Sequence, residues 1–502
     1  MKKKWYWACA AMLLFLILYM LSDLLQSASH EMRLPLTMAE TMIVLGVLAL
    51  IRRAAEQKWK PEHVFSILFI PLSLLMMICM PVTRVPDEIG HLQKVWQISV
   101  GDWVPNEENQ GIFSQPQNMW EGIEHEADTT LVSLMKIADS QMDMEHLIQL
   151  TASPATGFYP VHNYFAQALG MTIVRCFTLN RLAIFYGARF GGWLATFCLL
   201  FFAVKRIPLG KYVLMALSLS PMVLQEAISA SVDGITFAVV SAFFAQALYL
   251  HSRKELLGSA EYISLYVLTF CASTFKVFYC PFSLLLFVMD EKCFGGKKER
   301  MRAALLILAA TLLPVLGWAL FCKETYIVDG AEGEIGVSVI VPQIKYILMH
   351  PVAYMLVLLR TLLNNCVDYV QSMMGSSLSL FNIGIPAICN AGLIIQFALV
   401  SARDTGMDFA EKSIANAISR MTWAAIFLSI TFICTGLYIW WTPYANAQIY
   451  GIQGRYFLPI AMPAVLMIKK KKTDGSLYTP LCAMFALDVL VIGRVLVSTI
   501  GC

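Results

Sequence analysis

Charged residues and the sequence signatures of soluble enzymes are scarce in this chain. Asp, Glu, Lys and Arg make up 14% of its 502 residues, whereas soluble globular proteins carry about 25%. The 13 cysteines include no CxxC pair and no Cys/His cluster at zinc-ligand spacing. Most of them lie within apolar runs, which indicates small buried hydrophobic residues and not a disulfide framework. The absence of a P-loop and of a Gly-rich dinucleotide fingerprint argues against a cytosolic nucleotide-binding domain.

Long apolar runs take the place of those signatures, and 58% of the residues are hydrophobic. The runs last roughly 17–25 residues between short charged stretches, and about 20 apolar residues span a bilayer as a helix. Lipid admits only helices and closed barrels, and these runs are too long and too evenly apolar for barrel strands. We therefore predict an all-α polytopic membrane protein with about thirteen transmembrane helices. The predicted spans are 5–24, 36–52, 63–82, 182–204, 212–229, 234–251, 259–274, 276–290, 303–322, 378–400, 420–441, 456–470 and 476–498.

The positions of lysine and arginine predict the orientation of the chain, because both accumulate on cytoplasmic loops. Seven basic connections contain 24 of the 37 Lys and Arg residues, and thirteen crossings place all seven on the same face. These connections are 2–4, 52–60, 205–211, 253–254, 292–302, 403–420 and 469–472. The first apolar run follows three lysines without an AxA-like cleavage site, so we expect a retained anchor and a cytoplasmic N-terminus.

Three segments are expected at the outer face. Residues 83–158 form a long acidic loop with twelve Asp or Glu and three Lys or Arg, and loops of that length are often functional. Residues 159–178 are apolar enough to cross, but a crossing would move downstream basic residues outside, so we expect a juxtamembrane or re-entrant helix. Residues 343–372 are amphipathic and are expected to lie at the outer interface.

An acidic motif, Pro86-Asp87-Glu88-Ile89-Gly90-His91, directly follows the predicted span 63–82. Proline suits the first turn of a helix, and the helix dipole stabilises carboxylates there. Asp87 and His91 are four residues apart and would share a helix face. A carboxylate at this boundary can take a proton from a sugar hydroxyl or hold a cation. Plain capping of the helix by acidic residues explains the same pattern without chemistry.

A second motif, Gln453-Gly454-Arg455-Tyr456-Phe457-Leu458-Pro459, stands at the outer start of the predicted span 456–470. The planar donors of Arg455 suit bidentate contact with phosphate. A glycine beside it lets the backbone approach a ligand closely. The alternative is an arginine at a helix end that reaches lipid head groups.

Three further charged residues lie near the same predicted face. Lys276 is expected at the outer tip of a hairpin, where a cation needs a partner such as a phosphate ligand, or a lipid phosphate in the simpler interpretation. Asp233 lies at the turn between two predicted spans, and Arg189 lies about two turns into the span 182–204. Pairing with an opposite charge for structural reasons remains open for both.

The placement of these motifs resembles a bacterial family of multi-spanning membrane proteins that is usually associated with the GT-C class of glycosyltransferases. The residues that carry the resemblance are Pro86-Asp87-Glu88 with His91, Tyr159-Pro160, Pro221, Ser231 with Asp233-Gly234, Lys276 with Tyr279 and Pro281, and Gln453-Gly454-Arg455-Tyr456-Phe457-Leu458-Pro459. It covers roughly residues 63–470, which we expect to form the membrane core. Residues 1–62 are then helices added before this core, and 471–502 contain a C-terminal membrane helix.

The resemblance implies a GT-C-like bundle with juxtamembrane helices in its first outer loop and polyprenyl-phosphate sugars as donors. Carried over to this chain, the role of base falls on Asp87, with Glu88 as the second choice. Asp233 takes the place of a second acidic residue that joins a metal site in some members. Because members differ in metal dependence, a divalent cation as cofactor stays open.

We therefore predict a glycosyltransferase of the bacterial plasma membrane whose active site faces outside. It would move a sugar from a polyprenyl-phosphate donor to a cell-envelope glycan or lipid, with membrane lipid around it and no nucleic acid partner. Asp87 would deprotonate the acceptor, while Lys276 and Arg455 hold the lipid phosphate. The predicted contacts with substrate and phosphate are His91, Arg189, Asp233, Lys276, Gln453, Arg455 and Tyr456.

Two other functions fit the same residues. A transporter or flippase of a lipid-linked glycan would also contain buried charges, although the sequence shows no inverted repeat. A non-catalytic scaffold of envelope assembly would tolerate the loss of both Asp87 and Glu88. Formation of a new glycosidic bond separates the enzyme from the transporter, which only relocates its cargo.

Overall fold

The computed structural model describes residues 12–20, 29–103, 112–123, 128–151, 154–157, 159–326, 337–404, 412–468 and 473–500. In these residues the chain is mostly helical. The α-helices are α1 (His30–Glu56), α2 (Pro61–Cys79), α3 (Glu88–Ser99), α4 (Leu131–Lys136), α5 (Pro154–Gly157), α6 (Phe165–Arg175), α7 (Arg181–Arg206), α8 (Lys211–Ser218), α9 (Pro221–Ile228), α10 (Asp233–Arg253), α11 (Ser259–Thr274), α12 (Lys297–Tyr326), α13 (Val337–Met349), α14 (Pro351–Met373), α15 (Ala387–Arg403), α16 (Lys412–Trp440), α17 (Leu458–Ile468) and α18 (Tyr478–Thr499). The 3-10 helices are Val161–Tyr164, Val277–Phe287, Glu291–Phe294 and Gly454–Phe457.

Two short antiparallel strand pairs complete the described elements. Strands β1 (Ile112–Pro116) and β2 (Leu147–Thr151) pair within the long loop, with Ile112 opposite Thr151. Strands β3 (Ser377–Leu378) and β4 (Ile383–Gly384) form a small hairpin between α14 and α15. The described part of the long loop thus contains secondary structure of its own.

Helix α10 is the centre of the helical bundle. The best apolar segment of α10 is 94% buried inside the protein, whereas that of α12 is 17% buried. A helix that is hydrophobic all round is stable both inside the bundle and at its lipid-facing edge, because protein or lipid can cover its surface. Helix α10 therefore positions the residues at its first turn deep within the protein.

By length and composition, seven helices in the described residues can cross a membrane. Their apolar parts are Glu31–Glu56, Pro61–Cys79, Arg181–Arg206, Asp233–Arg253, Lys297–Trp318, Asn416–Trp440 and Tyr478–Thr499. A bent pair, Ile340–Met349 with Pro351–Met373, makes an eighth if it counts as one span. A multi-pass membrane protein is confirmed, but thirteen spans are not.

A break and several short helices account for most of the difference in number, and much of the predicted span 5–24 lies outside the described residues. The predicted span 212–229 is divided into α8 and α9, each of eight residues. Pro221, which lacks an N–H, begins α9, and the Ser220 side chain accepts a hydrogen bond from the Val223 N–H. Helices α11 and α17, with 16 and 11 residues, are also shorter than the roughly 20 residues that cross a bilayer. Apolar composition alone does not reveal such breaks.

Residues 159–178 fold back against α7 and do not form a full-length helix. The 3-10 helix Val161–Tyr164 and the 11 residues of α6 together extend about 24 Å, less than the roughly 30 Å of the hydrocarbon core. Glycines allow close packing here, since a Cβ added at Gly187 would lie 2.9 Å from the Gly170 carbonyl oxygen. The short helix agrees with the juxtamembrane or re-entrant interpretation.

The predicted amphipathic segment 343–372 is not one continuous helix. It belongs to α13 and α14, whose axes differ by 104° across a break at His350. Pro351 begins the second helix, which is typical of an N-terminal proline. Apolar side chains on α14 such as Leu363, which is 71% exposed, leave one face for lipid.

Candidate functional site

Five charged residues from distant parts of the chain meet in one place. Asp87 precedes α3, Glu226 lies in α9, Asp233 begins α10, Lys276 follows α11, and Arg455 lies in the 3-10 turn before α17. We call these five residues the charge cluster. Because each stands at a helix end or in a short helix, the breaks in the apolar runs are what bring them together.

Arg455 is the centre of the charge cluster. Its Nη2 donates to Asp87 Oδ2 at 2.8 Å, and its Nη1 donates to Glu226 Oε1 at 3.4 Å. Its Nε lies 3.3 Å from Asp233 Oδ2, while Lys276 Nζ contacts the other oxygen of Asp233. Three carboxylates against two cations give a formal charge of −1. Each cation is thus already compensated within the cluster.

Exposure to solvent distinguishes Asp87 from the other members of the charge cluster. The side chains of Glu226, Arg455 and Lys276 are 2%, 3% and 8% exposed, and that of Asp233 is 11% exposed. The Asp87 side chain is 62% exposed. Charges as buried as the first four persist only when they are paired or functional. Asp87 is therefore the carboxylate of the cluster that a solute can reach.

The backbone at Asp87 has the left-handed conformation, with φ 65° and ψ 2°. Aspartate tolerates this region better than most residues, but such a conformation costs on the order of 1–3 kcal/mol. Thr83 in the same loop also has a positive φ, of 78°. Strain of this kind clusters at functional sites. It allows Asp87 to contact Arg455 while the next residue contacts a different partner.

Glu88 forms a second ion pair, with Arg189, apart from the charge cluster. Glu88 Oε1 accepts from Arg189 Nε at 2.8 Å and Glu88 Oε2 accepts from Arg189 Nη2 at 2.6 Å; neither side chain is exposed. The backbone N–H groups of Thr83 and Ala230 donate to the same carboxylate at 2.8 and 3.0 Å. Arg189 also donates to two carbonyls of the loop before α3. The pair joins this loop to α7 and leaves neither residue open to a substrate.

His91 lies beside the charge cluster. Its Nδ1 is 2.8 Å from the Tyr164 hydroxyl, and its ring centroid is 5.9 Å from that of Tyr159. Burial lowers the pKa of His91 to about 4, although the nearby carboxylates of Asp233 and Asp87 oppose this shift. The imidazole is uncharged at neutral pH. It therefore adds a polar contact to the site but no charge for a phosphate.

Tyr456 covers the two cations of the charge cluster. Its ring centroid lies 4.9 Å from Lys276 Nζ and 5.5 Å from the guanidinium carbon of Arg455. These are cation–π contacts, which gain strength where water is excluded. The Tyr279 hydroxyl donates to the Tyr456 carbonyl at 2.8 Å. Tyr456 thus holds the cations in position.

A cavity of about 470 Å³ adjoins the charge cluster, and Arg455 forms part of its wall. Gln453 also lines it, and its Oε1 is buried without a hydrogen-bond partner among the residues that the structure describes. Gly454 is required by α14, since a Cβ there would lie 2.5 Å from the Tyr369 carbonyl oxygen. The predicted reason for this glycine was approach to a ligand; the structure shows approach to a helix.

Seven of the nine predicted site residues lie in or around the charge cluster. They are Asp87, His91, Asp233, Lys276, Gln453, Arg455 and Tyr456. Glu88 and Arg189 lie apart as a buried pair. Glu226 is the member that sequence reasoning missed. Its signal is an ionisable residue inside an apolar run, which is a functional-site candidate by default.

Three carboxylates lie close together around Arg455, and neighbouring carboxylates are potential metal ligands. No group of three His, Cys, Asp or Glu side chains is placed to hold a metal ion among the described residues. The positions next to Asp87, Glu226 and Asp233 are occupied by Arg455 and Lys276. The positive charges next to these carboxylates in the described residues are therefore side chains of the protein.

Comparison with known proteins places most of the chain in one family. A family model described as "Predicted membrane protein (DUF2142)" matches residues 71–464. No curated protein and no solved structure matches the chain. The matched range includes the whole charge cluster.

Proposed function

The chain belongs to the DUF2142 family of predicted membrane proteins, and from this premise and the site geometry we propose that it is a glycosyltransferase. It moves a sugar from a polyprenyl-phosphate donor to a cell-envelope glycan or lipid. The charge cluster faces the outside of a bacterial plasma membrane, and the bundle has a GT-C-like arrangement. The resemblance of the motifs to GT-C-associated proteins supports this class of reaction.

The single observation that carries the proposal is the position of Asp87. It combines 62% exposure of its side chain with a hydrogen bond to the buried Arg455. A general base needs access to the acceptor hydroxyl and a position beside the group that the donor contacts. Among the three carboxylates of the charge cluster, Asp87 alone has both properties.

The proposed reaction uses Arg455 as a shared partner. The donor phosphate takes the place of Asp87 on Arg455 Nη2, because Asp87 is the most exposed of the partners of Arg455. Asp87, once released, takes the proton of the acceptor hydroxyl. The acceptor oxygen then forms a bond to the anomeric carbon while the bond from that carbon to the phosphate oxygen breaks. The lipid phosphate leaves with the electron pair, and Arg455 stabilises its charge.

Glycan analysis of cells tests this proposal. Cells that lack the protein should lose one envelope decoration by mass spectrometry, and the wild-type gene should restore it. The Asp87→Asn variant should insert and purify normally but restore none of the decoration, since the amide does not act as a base. Asp139→Asn changes another exposed carboxylate of the same loop and should restore it fully. Full restoration by Asp87→Asn would eliminate the mechanism.

A transporter of lipid-linked glycan is the second candidate, and one observation favours it. The four buried members of the charge cluster sit within an apolar bundle, and buried ion networks of this kind are typical of transport and coupling sites. With reconstituted vesicles and a labelled donor, an enzyme produces a new glycosidic bond, whereas a transporter moves unchanged label across the membrane. The Asp87→Ala variant tests the scaffold, which should tolerate loss of this carboxylate. Glu88 is left unchanged, because its loss would also disrupt the fold.

A further inference from the structure

We propose that the cavity beside Arg455 binds the sugar part of the substrate and selects a neutral, hydroxyl-rich sugar over one that carries a carboxylate. The inference rests on the proposed glycosyl transfer and specifies its substrate class. The cavity volume of about 470 Å³ lies within the range of roughly 300–1,000 Å³ typical of small-molecule sites. Its wall includes Arg455, so a bound sugar lies next to the proposed phosphate position.

The polar groups in the wall of the cavity are mostly uncharged. Its amide and hydroxyl groups include those of Asn365, Gln371, Ser372, Ser376, Gln448 and Gln453. Amides and hydroxyls donate and accept hydrogen bonds, as sugar hydroxyls do. The rings of Tyr369, Phe381 and Tyr450 also line the cavity, and such rings can pack against the C–H face of a sugar. The combination matches a neutral polyhydroxyl ligand.

Gln453 lines this wall and contributes a buried amide beside the cavity. Its Oε1 is buried, and no described residue donates a hydrogen bond to it. A buried acceptor left unsatisfied is costly, and native structures rarely keep one without a reason. Rotation of the Gln453 amide towards the cavity would let a bound sugar hydroxyl satisfy it. Gln453 belongs to the same motif as Arg455, so the motif contributes to both the sugar and the phosphate side of the site.

Charge in the wall disfavours an acidic sugar. Of the residues that line the cavity, Arg455 is the one cation and Asp368 the one carboxylate. Arg455 already contacts Asp87, Glu226 and Asp233. Because the proposed donor phosphate replaces Asp87 on Arg455, a sugar carboxylate would find this cation already occupied and would lie near Asp368. A uronic acid would lose its hydration without gaining a charged partner.

Binding measured without turnover tests the inference. Native mass spectrometry of the detergent-purified protein would compare farnesyl phosphate alone with farnesyl phosphate carrying glucose, galactose, mannose, N-acetylglucosamine or glucuronic acid. At least one neutral sugar should bind about tenfold more tightly than both the bare lipid and the glucuronic acid compound. This ratio requires no variant. Equal binding of all ligands, stronger binding of glucuronic acid, or no binding would overturn the inference.

A matched pair of glutamine variants identifies the cavity as the place of binding. Gln453→Leu should weaken binding of the preferred sugar lipid about tenfold and leave the bare lipid unchanged. Gln246→Leu removes another buried glutamine with an unpartnered Oε1, in α10 and outside the cavity, and should leave binding unchanged. Equal effects of both variants would overturn the assignment.

Failure of the cavity and failure of the proposed transfer are distinguishable. Selective sugar binding without formation of a glycosidic bond would support the cavity as the sugar site and contradict the proposed glycosyltransferase activity. Sugar transfer at the wild-type rate by Gln453→Leu would support the glycosyltransferase activity and contradict a role of the cavity in it.

Discussion

Arg189 holds both carboxylate oxygens of Glu88, at 2.8 and 2.6 Å, in a place that solvent does not reach. The adjacent Asp87 contacts Arg455 and keeps most of its side chain exposed. Successive residues of a helix start point in different directions, so one acidic dipeptide serves two purposes. Glu88 maintains the fold, and Asp87 is left for the proposed chemistry.

Removal of Glu88 should therefore reduce stability more than removal of Asp87. Loss of one partner of a buried ion pair costs about 3–5 kcal/mol, because the other charge stays buried. Glu88→Ala should lower the temperature of unfolding in detergent, followed by tryptophan fluorescence, or prevent purification of a monodisperse protein. Asp87→Ala should shift it little. The interpretation fails if Glu88→Ala unfolds at the wild-type temperature.

Within the charge cluster, Asp233 should matter more for stability than Asp87. Asp233 contacts both Lys276 and Arg455 and is 11% exposed, so its neutralisation removes the carboxylate that compensates the buried Lys276 and one of the three around Arg455. Asp233→Asn should destabilise the protein by about 3–5 kcal/mol, and Asp87→Asn by less than about 1 kcal/mol. Combining Asp233→Asn with Lys276→Met should recover part of the loss. Equal losses for the two single variants would contradict this ranking.

The helical membrane character and the grouping of the motifs are readable from the sequence. Hydropathy predicts helices because lipid leaves few alternatives, and four members of the charge cluster stand in recognisable motifs at the ends of predicted spans. Their proposed roles in catalysis and phosphate binding stay predictions. The number of spans is harder to predict, since Pro221 interrupts the apolar run 212–229 with little effect on its average hydropathy.

The different roles of Asp87 and Glu88 depend on tertiary contacts. Sequence reasoning ranks Asp87 before Glu88 by resemblance, but the partner that separates them, Arg189, lies 101 positions after Glu88. Glu226 was missed because a carboxylate in an apolar run has no motif around it, and Arg455, which it contacts, lies 229 positions away. Contacts between residues so far apart in the sequence form by packing, and no local sequence pattern predicts them.

Gly454 should not tolerate even one added methyl group. A Cβ at this position would meet Ser372 Oγ, the Met373 backbone nitrogen and, at 2.5 Å, the Tyr369 carbonyl oxygen. The end of α14 or the Arg455 turn would have to move, so Gly454→Ala should lower the unfolding temperature and weaken activity together. Gly317→Ala in α12, where nothing lies within 4 Å, should be neutral or stabilising by up to about 1 kcal/mol. The reverse order would contradict the packing.

Stability should fall in acid because of His91. Burial gives its imidazole a pKa of about 4 in the folded protein, compared with about 6.5 in an unfolded chain. Below pH 6.5 the unfolded chain therefore binds a proton that the folded protein does not, until both are protonated near pH 4. The contribution is complete above pH 6.5 and is lost between 6.5 and 4, by about 3 kcal/mol at most.

Unfolding temperatures measured in detergent from pH 7.5 to 4 would reveal the contribution of His91. His91→Asn keeps a polar atom near Tyr164 but does not titrate, so its stability should decline less steeply than that of the wild type across this window. Other groups around the ring, including Asp87, Asp233, Lys276 and Arg455, remain in both proteins and cancel in the difference. Parallel curves for wild type and His91→Asn would show that the imidazole is not held neutral in the folded protein.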